Sequence, residues 1–81
     1  MIKIIKCKEQ ITFVDHTQYN INKEDHIIFD MMNTEYVPSS MIGFLINLKQ
    51  KGIKFDLILS SQVEYILRFK KVYNYLMGEN V

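Results

Sequence analysis

Apolar residues along the chain recur with a period of two in some blocks and of about 3.6 in others, and the switches mark the elements. "IKIIKC" and "QITFV", at 2–7 and 10–14, are short, β-branched and separated by the polar pair "KE". They predict two strands of a hairpin. "HIIFDMM" at 26–32 is nearly continuous in apolar residues, the pattern of a central strand covered on both faces. "IKFDLIL" at 53–59 alternates instead, with Ile53, Phe55, Leu57 and Leu59 on one face and Lys54, Asp56 and Ile58 on a wetter one. An edge strand is expected there. Between these strands Met41, Phe44, Leu45 and Leu48 fall at i, i+3, i+4 and i+7, predicting a helix over 40–51 that Gly52 ends in the left-handed conformation. Val63, Ile66 and Leu67 mark a second helix over 60–69, which Ser61 and Glu64 open in capping-box spacing. Val72, Tyr75 and Leu76 form one face of a separate last turn.

Strand, helix, strand over 26–59 is a βαβ unit, so its two strands should be parallel and its crossover right-handed. The link at 15–25, "DHTQYNINKED", has little helical periodicity and leaves no room for a full helix. These elements predict a single α/β domain over 1–81: a small mixed four-stranded sheet, made of the N-terminal hairpin plus the βαβ unit, with two main helices.

Composition narrows the function more than the fold. At 81 residues, 48% hydrophobic and 23% charged, the chain has the make-up of one globular domain with a modest core. A formal net charge of +1 provides no general attraction to nucleic acid or to an anionic membrane. Lys3, Lys6 and Lys8 interrupt the first apolar block, which excludes a signal-peptide core, and no apolar run approaches the ~20 residues that span a bilayer. The lone Cys7 has no internal disulfide partner, which suits a reducing cytoplasm. It is expected to pack as a small buried residue.

Candidate chemistry concentrates in "YVPSSMIGFL" at 36–45. Ser39, following the only proline, fits the N-cap of the helix, and its hydroxyl would accept a first-turn amide and contribute about 1 kcal/mol. The same position suits a phosphate, because a helix N-terminus favours a charge of about −1.5 to −2. Ile42 and Ile46 lie about 100–140° from the core stripe on the helical wheel. With Gly43 they suggest a partner-binding ridge beside Ser39 and Ser40. Other constellations are weaker. Cys7, Asp15, His16 and His26 share no recognised metal-ligand spacing. Ser39, His26 and Asp30 lack the elbow of a hydrolase, and no Gly-rich phosphate loop exists, so neither a cofactor nor a catalytic site is expected. Lys70 and Lys71 among Phe69, Tyr73 and Tyr75 read as a solvated helix end rather than a nucleic-acid surface.

From His26 to Leu76 the chain resembles the second half of a STAS domain, the fold of bacterial anti-sigma-factor antagonists. In that family a strand ends in Asp, as at Asp30. An Asp-Ser-Ser-Gly signature then opens a helix, as "PSSM" does at 38–41, and a Gly (here Gly52) precedes an edge strand and a capped helix. Pro38 stands in place of the signature Asp, Met41 in place of its Gly, and Lys71 where the last helix usually turns on a Gly. The resemblance implies a regulatory protein–protein binding module rather than an enzyme. Its partner would be an anti-sigma factor that is also a serine kinase, and phosphorylation would fall on Ser39, with Ser40 second. Some relatives are phosphorylation-independent adaptor subunits of transport or sensory complexes, which is the alternative. A small enzyme is a third.

Overall fold

The computed structural model describes residues 2–11 and 21–78. Three strands, β1 (Ile2–Lys6), β2 (His26–Met31) and β3 (Lys54–Leu59), form one sheet in the order β1-β2-β3, and both pairings are parallel. The helices are α1 (Ser39–Gln50), α2 (Ser61–Phe69) and the short α3 (Tyr73–Met77).

The parallel pairing of β1 corrects the expected hairpin and, with it, the four-stranded mixed sheet. β1 runs alongside β2 from Ile2 opposite His26 to Lys6 opposite Asp30. The chain then continues forward instead of reversing. Cys7 N–H donates to Asp30 C=O at 2.9 Å, Glu35 N–H to Glu9 C=O at 2.8 Å, and Gln10 makes an isolated parallel bridge to Tyr36. The reason is local. A tight hairpin needs residues that accept positive φ, and the "KE" pair between the two blocks supplies none. Residues 12–14 of the expected second strand, and most of the expected helix-free link at 15–25, lie outside the described residues. At the end of that link, Asn22 N–H donates to Asp25 Oδ2 at 3.2 Å, and Lys3 Nζ lies 3.5 Å from the same carboxylate.

The βαβ unit forms as its periodicity dictates, with β2 central and β3 at the edge. Ile27, Phe29 and Met31 on one face of β2 are fully buried and join Met41, Phe44, Leu45, Leu48, Val63, Leu67 and Leu76 from the helices in a single core. Phe29 meets Phe44 and Phe55 edge-on at centroid distances of 6.2 Å. The other face of β2, carrying His26, Ile28 and Asp30, is only half-buried, so this strand is not covered equally on both sides as its near-continuous apolar run suggests. Its neighbours across the sheet on that face, Ile2, Ile4 and Ile58, are exposed. Strand order explains the asymmetry. In a 1-2-3 parallel sheet, crossovers of the usual right hand fall on the same side.

Helix ends follow backbone rules. At the end of α1, Gly52 adopts φ 76°, Ile53 N–H donates to Leu48 C=O at 3.0 Å, and Gly52 N–H to Lys49 C=O at 3.1 Å. This is a Schellman closure, with the glycine where positive φ is required. Helix α2 closes in the same way through Val72 N–H to Leu67 C=O, but there Lys71 takes φ 61°. Among the described residues no helix is long and apolar enough to cross a membrane.

Candidate functional site

The carboxyl ends of parallel strands are where α/β sheets usually place their chemistry. Here β2 ends at Met31, and the chain passes through 32–38 into α1 while β3 passes directly into α2. Both longer helices therefore begin at this edge. Asp30 shapes the exit from β2: its Oδ1 accepts Met32 N–H at 3.1 Å.

Thr34, fully buried, ties the edge together. Its Oγ1 donates to Lys8 C=O at 2.8 Å and its N–H donates to Met31 C=O at 3.1 Å. Its own carbonyl accepts the Ser60 hydroxyl, and Ser60 Oγ in turn accepts Val63 N–H at 3.1 Å. One buried hydroxyl thus caps α2 and clamps it to the loop that leads to Ser39. The cap is Ser60, not the expected Ser61, and Glu64 turns away to Arg68 at 3.0 Å instead of closing a capping box. The pattern places α2 correctly but misses its cap by one residue: only Ser61 has a Glu three residues on, yet Ser60 takes the cap because its hydroxyl is also held by the Thr34 carbonyl. Nothing in the sequence marked Thr34 as a junction; its role depends on three segments distant in the chain.

Ser39 occupies the first turn of α1 and is exposed, but it is not the N-cap. Pro38 holds that position with φ −79° and ψ 166°, its carbonyl accepting Met41 N–H at 3.0 Å and Ile42 N–H at 3.3 Å, and no side chain caps the helix. Proline is tolerated there because the position lies outside the region where its missing N–H matters. The helix therefore does not use the Ser39 hydroxyl. Ser40 is half-buried and engaged.

The expected ridge of Ile42 and Ile46 is corrected. Ile42 is buried in the core and Ile46 is half-buried against it. The buried positions Phe44, Leu48, Met41, Leu45 and Ile42 cover an arc of about 160° at 100° per residue, wider than the stripe that the four-residue pattern implies. What α1 presents to solvent is Ser39, Gly43, Asn47 and Gln50. Met41 is fully buried and acts as core.

Of the remaining candidates, His26 and Asp30 stand at opposite ends of β2, so the hydrolase arrangement with Ser39 is not assembled. His26 Nε2 instead pairs with Asp56 Oδ2 across the sheet at 2.7 Å. Asp15 and His16 lie outside the described residues. Cys7 is half-buried just beyond β1. Burial, and secondarily the Asp30 carboxylate, push its thiol up to about 11, far from a reactive thiolate. A shallow depression lined by Glu35, Ser61, Gln62, Tyr65 and Ile66 lies at the same edge, between the loop and α2. Beside it Tyr65 and Phe69 stand exposed on the outer face of α2, an aromatic pair at i, i+4 outside the core stripe.

Comparison with protein-family models, with curated proteins and with solved structures returned no match.

Proposed function

We propose that this chain is a regulatory protein–protein binding module of the kind its resemblance to anti-sigma-factor antagonists suggests, with Ser39 as the switch. The observation that carries the reading is an exposed serine hydroxyl on the first turn of a helix that has no side-chain cap. The bland role for this residue, capping, is taken by the backbone of Pro38, which leaves the hydroxyl available for chemistry. A partner kinase would transfer the γ-phosphoryl of a nucleoside triphosphate to Ser39 Oγ. A new O–P bond forms, the nucleoside diphosphate leaves, and the hydroxyl proton passes to the kinase. The product adds about −1.5 to −2 charge where the helix dipole favours an anion, so the fold tolerates it. A partner seated over Ser39, Gly43 and the exposed Met32 and Tyr36 of the preceding loop would lose contact through repulsion and desolvation.

The test is mass spectrometry of the chain recovered from its native cells, joined to stability measurements. Phosphate is expected on Ser39 and absent from Ser39→Ala. That variant should keep its stability within about 0.5 kcal/mol, below the usual cost of a lost cap. Immobilised wild type should capture an ATPase-fold kinase that Ser39→Asp does not. Phosphate confined to Ser40, Ser60 or Ser61, or capture of transporter subunits equally by wild type and Ser39→Asp, would overturn the switch.

A further inference from the structure

The outer face of α2 carries an exposed aromatic pair. Tyr65 and Phe69 are 69% and 74% exposed, and their rings stack on each other with centroids 6.3 Å apart. They form a ridge along the centre of the exposed arc. On one flank of that ridge lie Glu64 and Arg68, joined at 3.0 Å. On the other lie Gln62 and the half-buried Ile66. The ridge owes nothing to the core, to which α2 contributes the buried Val63 and Leu67 and the half-buried Ile66. Aromatic residues and arginine are the residue types enriched where protein interfaces concentrate their energy.

We infer that this face binds a second copy of the same chain, with the two α2 helices antiparallel about a two-fold axis. The argument is self-complementarity, which an isologous contact requires. In an antiparallel pair each flank meets the same flank of the other helix running in reverse. Tyr65 of one copy then stacks on Phe69 of the other, and Phe69 on Tyr65. Glu64 of one copy meets Arg68 of the other, and Arg68 meets Glu64. Every contact occurs twice, and every charge on that flank meets its opposite. A parallel two-fold pair exchanges the flanks instead, so Glu64 and Arg68 would face Gln62 and Ile66 and the charges of the two copies would go unmatched.

Area sets the strength. At about 150–250 Å² for a buried aromatic residue, four rings exposed to this degree supply roughly 400–700 Å², about a quarter to two-fifths of a standard interface. The rest must come from Ser61, Gln62 and the aliphatic stem of Arg68. The dimer is therefore weak and forms with rising concentration. It is independent of Ser39 and stands whether or not that residue is modified.

Sedimentation equilibrium of the full chain, from tens of micromolar to millimolar, tests the inference. The weight-average mass should climb towards that of two chains. Phe69→Lys should hold it at one chain while circular dichroism and the thermal midpoint stay close to wild type, since the ring is exposed. The decisive arm is mixing. Glu64→Lys and Arg68→Glu should each weaken self-association at least several-fold. An equimolar mixture of the two should associate more strongly than either alone. In the mixed pair the lysine introduced on one copy faces the glutamate introduced on the other, and the native Arg68 of the first faces the native Glu64 of the second. A charge pair confined to one helix cannot be rescued by mixing. A chain that stays monomeric throughout, a dimer that Phe69→Lys leaves intact, or a mixture no stronger than its components would each overturn the assignment.

Discussion

At the scale of single residues, the few buried polar groups do most to fix the carboxyl edge of the sheet. Thr34 and Ser60 satisfy each other, a neighbouring carbonyl and a helix amide, and among the described residues no buried side-chain polar atom is left without a partner. Cys7 is a different case, because its half-buried thiol titrates. An unfolded cysteine loses its proton near pH 8.5, whereas the folded thiol holds it to about 11. Below the lower value both states are protonated and the thiol has no influence on the pH dependence. Above it the folded chain binds the extra proton, so stability falls as pH rises, and the fall ends above the folded value. Cys7→Ala should therefore show a shallower loss of thermal midpoint between about pH 8.5 and 11 than wild type. Tyrosines and lysines titrate in the same range in both proteins, and the difference between the two curves isolates Cys7. Parallel curves would place the thiol in an environment that does not resist ionisation.

Elements were legible wherever periodicity alone decides them. The apolar stripe of α1, the Gly52 closure, the alternation of β3 and the apolar run of β2 all correspond to observed features. Helix starts were not so legible, because adjacent residues of similar type compete. Pro38 and Ser39, and likewise Ser60 and Ser61, differ by one position, and tertiary bonds such as that from Ser60 to the Thr34 carbonyl decide between them. The end of α2 carries a backbone cost, a lysine where a glycine would serve better. Lys71 holds φ 61°, which places its Cβ against the backbone at a cost of roughly 1–2 kcal/mol. Glycine removes that strain but adds freedom to the unfolded chain worth about 0.4–1 kcal/mol. Lys71→Gly should therefore raise stability by up to about 1.5 kcal/mol, read from the denaturant midpoint at constant slope. A fall would show that the lysine side chain contributes contacts that outweigh its backbone strain.

For the whole molecule, the class was legible and the sheet was not. Local pattern identifies a strand but not its neighbour: β1 alternates acceptably for either direction of pairing, and only the missing turn chemistry at "KE" spoke against a hairpin. Parallel pairing depends on a connection whose path is not written in hydrophobic period. Among the described residues its consequence is a sheet with helices on one side and isoleucines on the other. All-parallel sheets are usually covered on both faces, yet Ile2 and Ile4 are 67% and 70% exposed here. The two faces should therefore answer differently to substitution. Phe29, fully buried between Phe44 and Phe55, should cost about 3–5 kcal/mol as Phe29→Ala, from lost transfer energy and the cavity left behind. Ile4 pairs with Ile28 across the sheet and has most of its surface in water, so it has little burial to lose. Ile4→Thr keeps the branched Cβ that suits a strand and should cost no more than about 1 kcal/mol. Chemical denaturation of both variants at one temperature reads the two values directly. If Ile4→Thr destabilised the domain as severely as Phe29→Ala, the second face of the sheet would have to be covered in the folded chain, and the one-sided architecture would fall with it.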